Sequence, residues 1–205
     1  MSATRHLVLI RHGVTAYNVA GRWQGWSDQP LSDDGVAQAH RLAGRTPTLR
    51  PRPDVLFSSD LTRARETARI AFAPTGLEPV ATERLRERGF GCWEGLTRDE
   101  VRAKYGDARQ PEGGEDWDML RERMSGALAW VLERTPEGGA AAVVGHGGSL
   151  KAWVGMALGW DRLDDERSHR LALGNGSVSV VLAEGDPAAP SLRLLRLNDQ
   201  AHLED

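Results

Sequence analysis

The 205-residue sequence predicts an α/β fold, a three-layer αβα sandwich around a mostly parallel central sheet. Three observations carry this. Short apolar runs (His6–Ile10, Asp54–Phe57 and Ala140–Val144) read as strands buried on both faces. Segments of helical periodicity separate them. The connections are short, as right-handed crossovers require. The length suits one domain over residues 1–205, with an insertion around 88–120 forming part of a lid or rim.

The elements follow in order. His6–Ile10 is the first strand and ends in Arg11-His12-Gly13. Gly21–Pro30 has no period and reads as a loop. Ser32 before Asp33 and Asp34 is a helix N-cap with acid in the first turn, followed by Val36, Ala39 and Ala43 at helical spacing. After the second strand, Ser58-Ser59-Asp60 is expected to cap a helix carrying Ala64, Ala68 and Phe72. Leu85–Gly95 is a glycine-punctuated loop. Trp117, Leu120, Met124, Leu128 and Val131 mark a long amphipathic helix. The third strand ends in Gly145-His146-Gly147-Gly148, and Ser149 is expected to cap the helix bearing Leu150, Trp153 and Ala157. Alternation at Val178, Val180 and Leu182, then the turn Asp186-Pro187 and Leu192–Leu197, suggests a late hairpin.

The composition excludes several function classes. A net charge of −3 gives no field to draw the chain to nucleic acid or anionic lipid. Only Lys104 and Lys151 are lysines; the other basic residues are arginines. The lone Cys92 rules out an intramolecular disulfide and a cysteine zinc site. The N-terminal apolar run is too short for a signal core or membrane span, so the expected location is cytoplasmic.

Polar groups gather at three predicted strand ends: Arg11 and His12, then Arg63 and Arg65 beyond Ser58-Ser59, then His146. Ligands of open parallel sheets bind outside the carboxyl ends of the strands, so Arg11, His12, Arg63 and His146 can converge. Such a group needs an anion, and tetrahedral phosphate matches the arginine fork. No carboxylate set is spaced to hold Mg²⁺, and no Walker-type loop is present. Phosphate must then be neutralised by side chains, with a histidine nitrogen as the plausible nucleophile.

With these residues in view, the chain resembles the histidine phosphatase superfamily, in its metal-independent, phosphoglycerate mutase-like branch. The matching blocks are Leu9–Thr15 with Asn18, Gln24–Ser32, Ser58–Ala68, Leu85–Gly95 and Gly145–Gly148, in family order across most of the chain. The resemblance implies that His12 is phosphorylated and that Arg11, Arg63 and His146 hold the transferred group. It implies hydrogen bonds to that group from Asn18 and the backbone at Gly147, and places Gln24 and Ser27 beside phosphate or substrate. Glu87 is implied as proton donor to the leaving oxygen and then base for water. Val14, Cys92 and Gly145 depart from the common family residues without removing a chemical role.

Without its neighbouring blocks, each of these residues also has a bland reading: His12 a cap or core histidine, Arg63 a helix-surface arginine. Arg65, two residues on, faces another side of its helix and reads as a surface residue. Glu94 competes with Glu87 for the acid role but reads as the residue that fixes the loop. His6, His40, His169 and His202 read as ordinary. Trp23, Trp26 and Trp93 fit a pocket rim and loop packing equally.

The expected activity is hydrolysis of a small phosphorylated metabolite, with no metal and no cofactor. The runner-up is a cofactor-dependent phosphoglycerate mutase, and an alternative of another class is a non-catalytic phospho-ligand binding or regulatory module. Tyr105–Glu115 is short and acidic and resembles phosphatase members, whereas the resemblance gives the mutases an arginine- and proline-rich stretch there. The natural substrate is not readable. The expected partner is that small phosphorylated metabolite, with a homodimer left open.

Overall fold

The computed structural model describes residues 3–162 and 164–204. Six strands form one sheet: β1 (Thr4–Arg11), β2 (Val55–Ser59), β3 (Val80–Thr82), β4 (Ala140–Gly145), β5 (Val178–Glu184) and β6 (Ser191–Asp199). Their spatial order is β3-β2-β4-β1-β5-β6. β1 pairs in parallel with β4, and β2 in parallel with both β3 and β4. β5 runs antiparallel to β1, and β6 antiparallel to β5, so the late hairpin closes one edge.

Alternating side chains of the central strands feed two helical layers. Leu7, Leu9, Phe57, Ala141 and Val143 meet α5 (Trp117–Glu133) and α6 (Gly147–Ala157) on one face. Val8, Ile10, Leu56, Ala142 and Val144 meet α2 (Asp33–Arg45) and α3 (Thr62–Phe72) on the other. Burial on both faces is why Leu7–Ile10, Leu56–Phe57 and Ala140–Val144 are apolar at consecutive positions. The three-layer αβα expectation holds.

Two caps differ from expectation. Ser32 caps α2, its hydroxyl accepting from Gly35 N. α3, however, begins at Thr62 with Leu61 in the cap position. Ser59 instead accepts from Leu61 N, and Asp60 pairs with Arg86. At α6 the cap position belongs to His146, whose backbone N–H donates to Ser149 Oγ at 3.3 Å. Ser149 thus lies inside the helix, because the chain turns helical directly after the strand.

The 88–120 segment carries a short helix not foreseen from sequence, α4 (Arg98–Tyr105), started by a capping box between Thr97 and Glu100. Phe90, Trp93 and Val101 form its own small core. A four-residue turn, α1 (Ala16–Val19), and a short α7 (Asp165–Arg170) complete the α-helices among the described residues. Among the described residues no helix is long and apolar enough to cross a membrane.

Trp153 on α6 is fully buried, and its indole donates to Met124 O on α5 at 2.7 Å. Trp153→Ala is expected to lower unfolding free energy by about 3–5 kcal/mol, since it opens a cavity and orphans that carbonyl. Urea denaturation monitored by circular dichroism measures this.

Candidate active site

The carboxyl ends of β1 and β4 and the amino end of antiparallel β5 lie at one edge of the sheet, where β1 pairs Arg11 with Gly145 and Ile10 with Val178. A cavity of about 250 Å³ opens there. Arg11, His12, Asn18, Gln24, Arg63, Glu87 and Gly147 all line it, although they come from four stretches distant in sequence. His146 sits directly beneath, its ring centroid 5.1 Å from that of His12.

His12 is buried, with Nδ1 2.6 Å from Gly13 O. A carbonyl only accepts, so Nδ1 carries the proton and Nε2 keeps its lone pair. Burial first, and then the Arg11 and Arg63 guanidiniums, hold the His12 pKa well below its ordinary value. The ring is therefore neutral, the form in which a histidine is nucleophilic. Its backbone is fixed closely. Gly13 N donates to Thr67 Oγ1 at 3.0 Å, and Asn175 Nδ2 donates to His12 O at 3.0 Å. A Cβ on Gly13 would lie 2.5 Å from Gly35 O, so only glycine lets the turn pack on α2.

Arg63 is fully buried at the start of α3. It donates from Nη1 to Ser27 O and from Nη2 to Gly25 O, both at 2.8 Å. Its Nε–H donates to His146 Nδ1 at 3.3 Å, so the neutral His146 carries its proton on Nε2. Burial, then Arg63, His12 and Arg11, depress the His146 pKa strongly. His146 Nε2 and Arg11 Nε are both buried without a protein partner. Arg11 Nη1 donates to Leu173 O at 2.6 Å. Neither Arg11 nor Arg63 has a carboxylate within 4.0 Å among the described residues, and desolvation lowers both pKa values. Buried cations and donors of this kind are satisfied by an anion in the cavity.

Asn18 Oδ1 accepts from Thr15 N at 3.1 Å and from Asn175 Nδ2 at 3.2 Å, which leaves its amide N–H groups for the cavity. Gln24 is held through Oε1, 3.0 Å from the Thr15 hydroxyl. Glu87 lies across the start of α6, its carboxylate accepting from Gly148 N and Ser149 N at 2.9 Å each. A negative group is favoured at a helix N-terminus. Among the described residues no His/Cys/Asp/Glu group is arranged to hold a metal.

Ser27 corrects an expectation. Its hydroxyl donates to Glu94 at 2.7 Å and does not line the cavity; its carbonyl orients Arg63 instead. Glu94 ties down the loop through Trp26 N, Ser27 N and Phe90 N, at 2.8, 2.9 and 3.2 Å. Gly25 is needed in that loop: its φ is +52°, and a Cβ there would fall 2.0 Å from Glu94 Oε1. Arg65 is exposed. His169, read as ordinary, stands in the cavity wall and meets Arg98 at 2.6 Å. Trp23 also lines the cavity, Trp93 is buried, and Trp26 packs outside against Arg86.

Sequence reasoning missed Asn175 and the wall residues Lys151 and Trp117. Asn175 had a readable signal. Gly174-Asn175-Gly176 precedes an edge hairpin strand, and an antiparallel strand starts where its parallel neighbours end. Lys151 stands one turn beyond Gly147 on α6, a spacing that marks the same helix face.

Fold and site together define an enzyme of phosphoryl-group chemistry built on paired histidines and arginines. The chain belongs to the histidine phosphatase superfamily, branch 1, whose sequence pattern matches residues 7–199. It is 38% identical to a 2,3-bisphosphoglycerate-dependent phosphoglycerate mutase of Methylobacterium radiotolerans, covering 93% of this chain and 95% of that one. A mutase of the same description from Xanthobacter autotrophicus is 32% identical over 92% and 97% of the two chains. Among solved structures, the mycobacterial glucosyl-3-phosphoglycerate phosphatase complexed with VO3 aligns with TM-score 0.82 and 32% identity, covering 95% and 99%. Phosphoserine phosphatase from Entamoeba histolytica, in complex with 3-phosphoglyceric acid, aligns with TM-score 0.77 and 25% identity, covering 98% and 100%.

The two depressed histidines make stability depend on pH. Their folded pKa values lie below the unfolded value of 6.5, so below that pH the unfolded chain binds protons that the folded chain refuses. Stability is therefore full above about pH 6.5 and falls on acidification, by up to about 1.4 kcal/mol per pH unit for each histidine. Urea unfolding at pH 7.5, 6.5 and 5.5 is expected to show this fall, with a shallower slope in His146→Asn.

Proposed function

We propose that the protein is a metal-independent phosphomonoesterase that hydrolyses a small phosphorylated metabolite through a phosphohistidine on His12. The observation that carries this reading is the His12 ring held at Nδ1 by Gly13 O, which leaves Nε2 for attack, in a cavity shared with Arg11, Arg63 and Glu87. In this reading Nε2 attacks phosphorus as the ester P–O bond breaks, and Glu87 gives its proton to the leaving oxygen. Arg11, Arg63 and the Nε2–H of His146 hold the equatorial oxygens, with Asn18, Gln24 and the backbone at Gly147 beside them. Glu87, now a carboxylate, takes a proton from water, which attacks phosphorus as the P–N bond breaks and inorganic phosphate leaves. His12, Glu87, Arg11, Arg63 and His146 are the catalytic set.

The mutase reading is favoured by the names of the sequence relatives. What supports hydrolysis is residues 105–115. None of them lines the cavity; Glu115 turns inward to Arg123 and Gly89. The segment therefore brings no arginine to the cavity to grip a sugar-acid intermediate, and two of the similar solved structures are named as phosphatases.

Wild-type protein is expected to hydrolyse 4-nitrophenyl phosphate equally with and without EDTA, and His12→Ala to lose at least about 10³-fold in kcat. Full turnover by His12→Ala overturns the nucleophile assignment. With 3-phosphoglycerate and a trace of 2,3-bisphosphoglycerate, phosphate release is expected. Interconversion to 2-phosphoglycerate without release would establish the mutase reading instead.

A further inference from the structure

Glu87 belongs to the irregular loop between Leu85 and Gly89; the start of α6 holds its carboxylate, and its backbone is set by side chains packed around the loop. Arg86 on Asp60 and Arg88 on Glu115 O tie the loop at its side chains, and one further guanidinium gathers its carbonyls. Arg123 on α5 donates from Nη1 to Arg84 O and Arg86 O, and from Nη2 to Glu87 O, each at 3.0 Å. The guanidinium is itself locked: Glu115 accepts from Arg123 Nε and Nη2, both at 2.7 Å. Glu115 also reaches the loop directly, its Oε2 accepting from Gly89 N and its backbone N–H donating to Gly89 O, both at 2.9 Å. On the opposite side, Trp26 Nε1 donates to Glu87 O at 2.8 Å, a single bond from a residue 45% exposed. Neither Arg123 nor Glu115 lines the cavity.

We propose that Arg123, locked by Glu115, is a positioning residue that aims the Glu87 carboxyl at the leaving oxygen. A planar fork with five donors, paired bidentately to a carboxylate, fixes several carbonyls in one geometry, which a lysine does not. Proton transfer in the transition state needs hydrogen-bond reach, so a displaced loop degrades it without touching phosphate binding. The inference rests on the assignment of Glu87 as general acid, and it predicts a dependence on the leaving group. An ester whose alcohol is as acidic as a carboxylic acid departs without a proton, whereas an alkyl ester does not.

The test is kcat/KM, which reports steps through departure of the alcohol, across 2,4-dinitrophenyl, phenyl and propyl phosphate. Arg123→Met is expected to lose about 10–100-fold on propyl phosphate and under about threefold on the dinitrophenyl ester, with Glu87→Gln losing more in the same pattern. Arg123→Lys is expected to recover part of the loss. A uniform loss across the series, or none, overturns the proposal while Glu87→Gln stays selective. A uniform loss in Glu87→Gln overturns the acid assignment itself, and the proposal with it. Should Arg123→Met fail to fold, Glu115→Gln is read by the same criterion.

Discussion

The site depends on two arginines at one cavity, Arg63 fully buried and Arg11 half-buried, that have no carboxylate in direct contact among the described residues and feel Glu87 only at a distance. Arg63 is fully buried and bonded to two carbonyls and an imidazole, and Arg11 is held by one carbonyl. Cations in that condition are costly until an anion arrives, so the cavity favours a dianionic phosphoryl group. Burial first, and then the same field, keep both histidines neutral, leaving His12 Nε2 with a free lone pair and His146 Nε2 with a proton to donate. Much of the surrounding architecture bears on this arrangement. The Glu94-anchored loop presents Gly25 O and Ser27 O to Arg63. Asn175 secures the backbone of His12. The start of α6 receives the Glu87 carboxylate.

The parallel sheet explains why residues so far apart meet. β1 and β4 end side by side, so Arg11 and Gly145 are register partners and His12 and His146 follow them into the same space. β2 ends beside β4 and turns into α3, which brings Arg63 to the cavity wall beside His146. Topology supplies the convergence, and glycine at position 13 supplies the close approach to α2.

Much of this was legible in the sequence. Apolar runs buried on both faces announce a sheet covered by helices, and the polar tails of those runs mark the site edge. The matched blocks then named the site residues, and all but Ser27 and the underlying His146 line the cavity. What stayed hidden depends on side-chain direction and tertiary partners. Ser27 sits in a matched block, but its hydroxyl follows Glu94, a choice no spacing encodes. Asn175 acts through the orientation of an edge strand, and Arg123 through backbone carbonyls more than thirty residues away, which leave no periodic trace. His169 reaches the cavity only because α7 folds over α6, where Lys151 Nζ donates to Ser168 O at 2.7 Å.

The most direct test of the central claim is to catch the phosphoryl group on the protein. Enzyme mixed with excess phosphomonoester, quenched in alkali and digested, should yield a phosphorylated peptide carrying His12, with an adduct stable to base and lost in acid. The account predicts that adduct in wild type, and in larger amount in Glu87→Gln when 2,4-dinitrophenyl phosphate is the donor, because its alcohol leaves without the acid while the base that activates water is gone. Turnover with no adduct on His12 under either condition, or an adduct on another residue, would contradict it.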